Sequence, residues 1–166
     1  SAVTLIKNEA DALPLQHLNT QKTLYLNVGG TSKNSFKSTL NLYAAIDMLQ
    51  IPRSLSAEDE QKLMEGCEDY DRIIMAFHRT NNNPRRNFGV TRQSIKIHNA
   101  LSERQTMVTV LFGNPYVMDE FGPIDSTKAF LVAYQDTDYM QEAAAQIIFG
   151  GAIPTGKLPV TASEHF

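Results

Sequence analysis

Four apolar runs rich in β-forming residues recur along the chain, and stretches with helical spacing separate them. The runs cover residues 23–30, 72–78, 107–113 and 129–134. Each is nearly continuous in apolar character, which is typical of strands buried on both faces of a parallel sheet. Because such strands alternate with helices, we predict an α/β fold, a three-layer α/β/α sandwich with a mostly parallel sheet of about five to six strands. The opening residues 1–8 are expected to add an edge strand.

Helix start and stop signals fit this alternation. Residues 35–49 have apolar side chains at helical spacing and are predicted to form a helix. Ser56 is an expected N-cap, because acidic residues fill the turn that follows it. Asp138 and Gln141 resemble a capping box for the last helix, and Gly150 is expected to end it. We therefore assign residues 1–166 to one domain.

Composition excludes several classes of protein. The net charge is −3, so there is no basic field for nucleic acid. The single cysteine, Cys67, excludes an internal disulfide; it shares a helix face with Leu63 and is expected to be a buried, inert thiol. No apolar run approaches about 18 residues, so no membrane span is predicted. The chain begins with Ser1 and not Met, which suggests a processed protein or part of a longer one.

In such a sheet, ligands bind beyond the carboxyl ends of the strands, where four loops would meet. These are residues 29–35, 78–89, 113–116 and 134–138. The first loop lacks the G-x-G-x-x-G pattern of dinucleotide-binding proteins, and we expect a glycine turn packed close to its helix.

The second loop, HRTNNNPRRNFG, is dense in hydrogen-bonding groups that suit sugar hydroxyls or an anion. A solvated turn is the alternative, although twelve residues is long for a connection of this kind. His78 stands at a strand end, where it can be a ligand, a base or a capped side chain. Metal binding is disfavoured, because the sequence has no second His near His78. The candidate substrate-binding residues are His78, Arg79, Asn81, Asn82, Asn83, Arg85 and Arg86, together with Asn114 and Tyr116 in the third loop.

The sequence does not present a complete active site. The carboxylate pairs Asp136/Asp138 and Asp119/Glu120 are close in sequence, but each also suits a helix start. There is no G-x-S-x-G nucleophile elbow. We therefore predict no catalytic residues, no metal and no cofactor for this chain.

The segment GGAIPTGKLP, residues 150–159, comes close to the phosphate-binding pattern G-x-x-x-x-G-K-[ST]. Leu158 stands where a magnesium-binding hydroxyl is needed, and Pro159 prevents a long helix from starting there. The segment is therefore expected to be a turn, with Lys157 in a structural role.

Both ends of the chain resemble the second domain of glycoside hydrolase family 3. AAAQIIFGGAIPTGKLPVT is similar to its closing signature, a helix of small residues followed by Phe-Gly and Pro-(Ser/Thr)-Gly-(Lys/Arg)-Leu-Pro-Val-Thr. AVTLIKNEADALPL resembles the start of that domain. The Gly-Asn-Pro-Tyr segment that begins at Gly113 resembles the bacterial β-N-acetylglucosaminidase branch.

This resemblance implies an accessory domain of an exo-acting retaining glycosidase. In the family, the nucleophile is an Asp on an upstream (β/α)₈ barrel, and no part of this chain matches that barrel. The implied partners are that barrel, a glycan substrate and, in some relatives, a further β-lactamase-like domain. A periplasmic or cell-surface location is implied, because these enzymes act on exported or cell-wall glycans.

Three functions remain open at this point, in this order. The first is the accessory domain, docked on a barrel and lending loop residues to a sugar pocket. The second is a free-standing carbohydrate- or anion-binding module without catalysis. The third is a flavodoxin-like or Rossmann-like nucleotide domain, which its incomplete glycine motif disfavours.

Overall fold

The computed structural model of the protein describes residues 3–79, 90–124, 126–152 and 154. Strands and helices alternate along most of the chain. Two short 3-10 segments lie at Glu9–Asp11 and Pro115–Phe121. The strands are β1 (Val3–Asn8), β2 (Thr23–Val28), β3 (Ile46–Ile51), β4 (Arg72–Phe77), β5 (Thr106–Phe112) and β6 (Ala129–Ala133); the helices are α1 (Ser35–Tyr43), α2 (Ala57–Cys67), α3 (Arg92–Ser102) and α4 (Asp138–Phe149).

The six strands form one sheet in the order β1-β6-β5-β4-β2-β3. Strands β2 to β6 are mutually parallel, and β1 runs antiparallel along β6 at one edge. The predicted α/β fold, with a mostly parallel sheet and an N-terminal edge strand, is confirmed. The parallel pairing brings the carboxyl ends of β2, β4, β5 and β6 to a single edge.

The apolar character of the strands follows from two covered faces. In β4, Ile74 and Ala76 face a core that α1 and α4 cover. Ile73, Met75 and Phe77 face the second core, to which α2 and α3 contribute. All six residues of β4 are buried, because side chains on both faces leave water.

The predicted helix over residues 35–49 is wrong in its second half. Helix α1 ends at Tyr43, Ala44 is extended, and Ile46 begins β3 at the sheet edge. The side chain of Asn41 accepts a hydrogen bond from the Ile46 amide and ties the helix end to the strand start. Pairing with β2 outweighs the helical spacing, which does not distinguish a short strand from a helix.

Two of the predicted helix ends, at Ser56 and Gly150, are confirmed, and the predicted capping box is wrong. The Ser56 hydroxyl accepts a bond of 3.0 Å from the Asp59 amide, as expected of an N-cap. Gly150 ends α4 with φ of +81°, in the left-handed conformation that glycine adopts most readily. The capping box at Asp138 is wrong, because Thr137 is the N-cap and Gln141 bonds to Asp136.

Cys67 lies fully buried in the second core, where burial raises the pKa of its thiol to about 11. The expectation of an inert thiol agrees with this environment. Among the helices the structure describes, none is long and apolar enough to cross a membrane.

Candidate functional site

A buried polar network occupies the carboxyl edge of the sheet. It joins Tyr25 from β2, His78 directly after β4 and Asp136 after β6. Tyr25 lies before the carboxyl end of β2, but its long side chain extends to the carboxyl ends of the strands, where its hydroxyl contacts His78. The three residues come from strands that the parallel topology brings together, so the network depends on the fold as a whole.

The imidazole of His78 is held on both sides. Its Nε2 lies 2.5 Å from the Tyr25 hydroxyl, and its Nδ1 lies 3.3 Å from each Asp136 oxygen. The ring stacks on Phe112, the last residue of β5, with 4.8 Å between centroids. Only 5% of His78 is exposed. This histidine is therefore a buried, fully bonded side chain.

The hydrogen-bond directions follow from the donors around Tyr25. Asn34 Nδ2 donates to the Tyr25 oxygen over 3.2 Å. The hydroxyl proton then remains available for His78 Nε2, which leaves the ring proton on Nδ1 to donate to Asp136. Burial raises the pKa of Tyr25, the Asn34 bond partly opposes this, and the Asp136 charge adds to it.

Asp136 accepts from three donors. Besides His78, these are the Arg79 amide at 2.8 Å and Gln141 Nε2 at 2.6 Å. Burial acts to raise the pKa of Asp136, but the hydrogen bonds from His78, Gln141 and Arg79 together outweigh burial and lower it. The carboxylate therefore remains ionised at neutral pH.

The same carboxylate fixes how the chain leaves β4. Arg79 has φ of +58°, which is uncommon for a residue other than glycine. Its amide is held by Asp136, and the His78 amide bonds to the Val28 carbonyl at 2.8 Å. The direction of the chain at Arg79 is thus set by bonds to β2 and to the loop after β6.

The glycine turn after β2 is shaped by His78. A Cβ on Gly30 would lie 2.5 Å from Asn27 Oδ1 and 2.8 Å from the His78 ring. Gly29 has φ of +77°, and a Cβ there would lie 3.2 Å from the His78 carbonyl oxygen. The turn therefore packs against the end of β4, which corrects the expected packing against its own helix. The Gly30 amide is already bonded to Asn27, so it does not offer a donor to phosphate.

The structure places the predicted binding residues unevenly. His78 and Arg79 belong to the network. Asn114 is buried and caps the segment Pro115–Phe121 by accepting from the Tyr116 amide, while Tyr116 is 44% exposed. Contact of any of these with substrate stays a prediction. The others, Asn81, Asn82, Asn83, Arg85 and Arg86, lie outside the described residues.

The network as a unit was not predicted from the sequence. The sequence places His78 at a strand end and pairs Asp136 only with Asp138, whose carboxylate instead accepts from the Ser35 hydroxyl at 2.9 Å. The available signal was a tyrosine inside an apolar strand and an aspartate that follows a neighbouring parallel strand.

The network is suited to positioning and not to chemistry on a substrate. His78 and Tyr25 are buried, and both ends of the imidazole are occupied. In the described part of the chain, no group of three His, Cys, Asp or Glu side chains is placed to hold a metal ion.

Comparison with known proteins agrees with the fold. Residues 3–165 match the sequence model of the glycosyl hydrolase family 3 C-terminal domain. No curated protein matches the chain. A β-N-acetylglucosaminidase of glycoside hydrolase family 3 from Paenibacillus sp. str. FPU-7 has a similar structure, with a TM-score of 0.74, 15% identity and 95% of this chain covered.

Two further solved structures share the fold. One is a fungal multi-domain family 3 β-N-acetylglucosaminidase, with a TM-score of 0.71, 23% identity and 95% of this chain covered. The other is the β-glucoside phosphorylase BglX, with a TM-score of 0.62, 16% identity and 97% of this chain covered. The matches span only 30%, 17% and 30% of the Paenibacillus, fungal and BglX chains, respectively. From the family match over nearly its whole length, the chain belongs to the glycosyl hydrolase family 3 C-terminal domain family.

Proposed function

We propose that this chain is the accessory second domain of an exo-acting retaining glycoside hydrolase, a β-N-acetylglucosaminidase that acts on cell-wall or other glycans. The family match over residues 3–165 carries the proposal. The branch is supported by two structural neighbours that are β-N-acetylglucosaminidases and by the Gly-Asn-Pro-Tyr segment at Gly113. A periplasmic or cell-surface location follows from that substrate class.

In this proposal the catalytic nucleophile belongs to a (β/α)₈ barrel on which the domain docks. A retaining glycosidase needs two carboxyl groups roughly 5 Å apart that face the sugar. Asp136 is held by three donors of its own domain, and Asp138 by Ser35. The Asp136 carboxylate is therefore occupied by contacts within its own domain, which supports placing the chemistry on the barrel.

The contribution of this domain would be made at the carboxyl edge of its sheet. Asp136 and His78 fix the chain up to Arg79, and the asparagine- and arginine-rich residues 81–86 follow directly. A rigid start limits the entropy lost when a loop binds a ligand. We propose that this loop lends hydrogen-bonding groups to the sugar pocket of the barrel.

Hydrolysis of a chromogenic β-N-acetylglucosaminide tests the proposal. We expect no hydrolysis by the chain alone, and hydrolysis of the substrate by the same chain joined to its barrel. Turnover by the isolated chain would contradict the assignment of chemistry to the barrel. A chromogenic β-glucoside, offered to the two-domain protein, tests the branch, since preference for the glucoside would contradict it.

Calorimetric titration of the isolated chain with N-acetylglucosamine distinguishes the alternative function. An accessory domain should show no binding by itself, because it supplies only part of the pocket. Saturable binding by the isolated chain would favour a free-standing carbohydrate-binding module.

A further inference from the structure

A second polar site lies at the other end of the parallel strands, at their amino ends, where Arg72 begins β4. Its neighbours in the ladder are Thr23 of β2 and Thr106 of β5. Arg72 is only 5% exposed, and burial lowers the pKa of its guanidinium although Asp71 acts to raise it. Buried cations usually have a carboxylate partner, because desolvation is otherwise uncompensated.

The described residues satisfy only part of this guanidinium. Its Nε donates to the Thr23 hydroxyl at 3.0 Å, and Nη1 donates to the Gln16 carbonyl at 2.5 Å. None of the ion pairs among the described residues includes Arg72. Among the described residues, Nη2 has no hydrogen-bond partner either. In the described chain, every fully buried side-chain nitrogen has a partner, so Nη2 must be accessible to solvent.

Arg72 lines a cavity of about 270 Å³ between the sheet and the chain that precedes β2. Thr106 lies beside Arg72 on one side of this cavity. The other side is lined by Asp11, Ala12, Leu15, Gln16, His17 and Gln21. The free edge of a guanidinium and a neighbouring hydroxyl are donors that match the oxygens of a carboxylate.

We propose that this cavity binds a carboxylate group, with Arg72 Nη2 and the Thr106 hydroxyl as donors. Asp11 also lines the cavity, so a second negative charge on the ligand would be repelled. A monoanionic carboxylate therefore fits better than a phosphate dianion. The carboxylate belongs either to a small free acid or to an Asp or Glu side chain of a neighbouring protein surface.

NMR titration of the chain with sodium acetate tests the site. Ionic strength and pH are held constant by replacing chloride with acetate. We expect saturable shifts of the Arg72 Nε–Hε signal and of the Thr106 amide, while the signals of residues around His78 stay in place. Shifts that rise linearly without saturation, or that spread equally over the surface, would overturn the proposal.

Two variants sharpen the test. Arg72→Lys keeps the charge but loses the fork of donors, so acetate should bind about tenfold more weakly, the loss of one charge-assisted bond. Asp11→Asn removes a charge from the rim and leaves the Arg72 contacts untouched, so acetate should bind several-fold more tightly. Unchanged affinity in Asp11→Asn would contradict the site even if Arg72→Lys fails to fold.

A second probe separates the two sources of the carboxylate. N-acetyl-aspartate-N-methylamide carries the same group on a short stretch of backbone. Binding comparable to that of acetate assigns the cavity to an acidic side chain of a partner surface. Binding of acetate alone assigns it to a small free acid.

Discussion

His78 and Asp136 are bonded to each other across a strand that lies between them. His78 follows β4, Asp136 follows β6, and β5 separates these strands in the sheet. The contact, 3.3 Å from Nδ1 to both carboxylate oxygens, passes over the end of β5, where Phe112 stacks on the imidazole. One carboxylate thereby ties the ends of β4 and β6 to helix α4.

Asp136→Asn should lower the free energy of unfolding by about 2 kcal/mol, since hydrogen bonds to a charged group contribute about 1.5–3 kcal/mol. Asparagine keeps one acceptor oxygen, but its NH₂ group would replace the other and would face either the Arg79 amide or Gln141 Nε2, both of which are donors. Urea unfolding followed by circular dichroism measures the change.

Asp138→Asn is the matched control for that variant. Asp138 is exposed in the first turn of α4, and its only described bond is to the Ser35 hydroxyl. Its loss should cost less than about 1 kcal/mol. Equal costs for the two variants would show that Asp136 has no special role.

Gly30→Ala and Gly66→Ala should change stability in opposite directions. A Cβ at Gly30 would press on Asn27 Oδ1 and the His78 ring, so we expect a loss of about 1–3 kcal/mol. A Cβ at Gly66, within α2, meets no atom within 4 Å. Alanine there should stabilise by about 0.5–1 kcal/mol, since it favours the helix. Thermal unfolding of both variants checks the signs, and a neutral Gly30→Ala would mean that the turn can move away from His78.

The fold could be predicted because both faces of the sheet are covered. The continuous apolar pattern of strands such as β4 clearly indicates a buried strand. Gly150 in turn clearly indicates the end of a helix. The edge strand β3 could not be predicted in the same way. It is buried only in part, and Leu49 is 41% exposed, so its apolar pattern fits a helix equally well.

The candidate site was predictable only in its location. Parallel topology places His78 and Asp136 at one edge, but the spacing of 58 residues between them gives no hint of a bond. Tyr25 was hidden for a different reason: it sits among apolar residues of a buried strand, and only the structure shows that its hydroxyl reaches His78.

Cys67 should resist labelling by a thiol reagent in the folded protein. It is fully buried, and burial raises the pKa of its thiol to about 11, so the reactive thiolate is scarce at neutral pH. In denaturant the reaction should proceed at the rate of an ordinary cysteine. Rapid labelling without denaturant, measured by mass spectrometry, would show that α2 opens readily.

His98 should make the protein less stable as the pH falls from about 6.5 to about 4. Burial lowers the pKa of His98 to about 4, although a hydrogen bond with Asn99 partly opposes this. An unfolded histidine titrates near its ordinary value of about 6.5. Between these values the unfolded chain binds a proton that the folded chain does not, so stability rises with pH in this window, by up to about 1.4 kcal/mol per pH unit.

Replacement of His98 by glutamine removes this titration and should flatten the dependence over the same window. The variant is expected to be less stable at every pH, because the bonds of the ring to Thr109 and Asn99 are lost. The slope of unfolding free energy against pH is therefore the informative quantity, and the absolute stability is not. Asp136 contributes in a separate window: its folded pKa is lowered, so its contribution is present above about 4 and is lost on further acidification. Equal slopes for wild type and His98→Gln between pH about 4 and about 6.5 would contradict a neutral, buried His98.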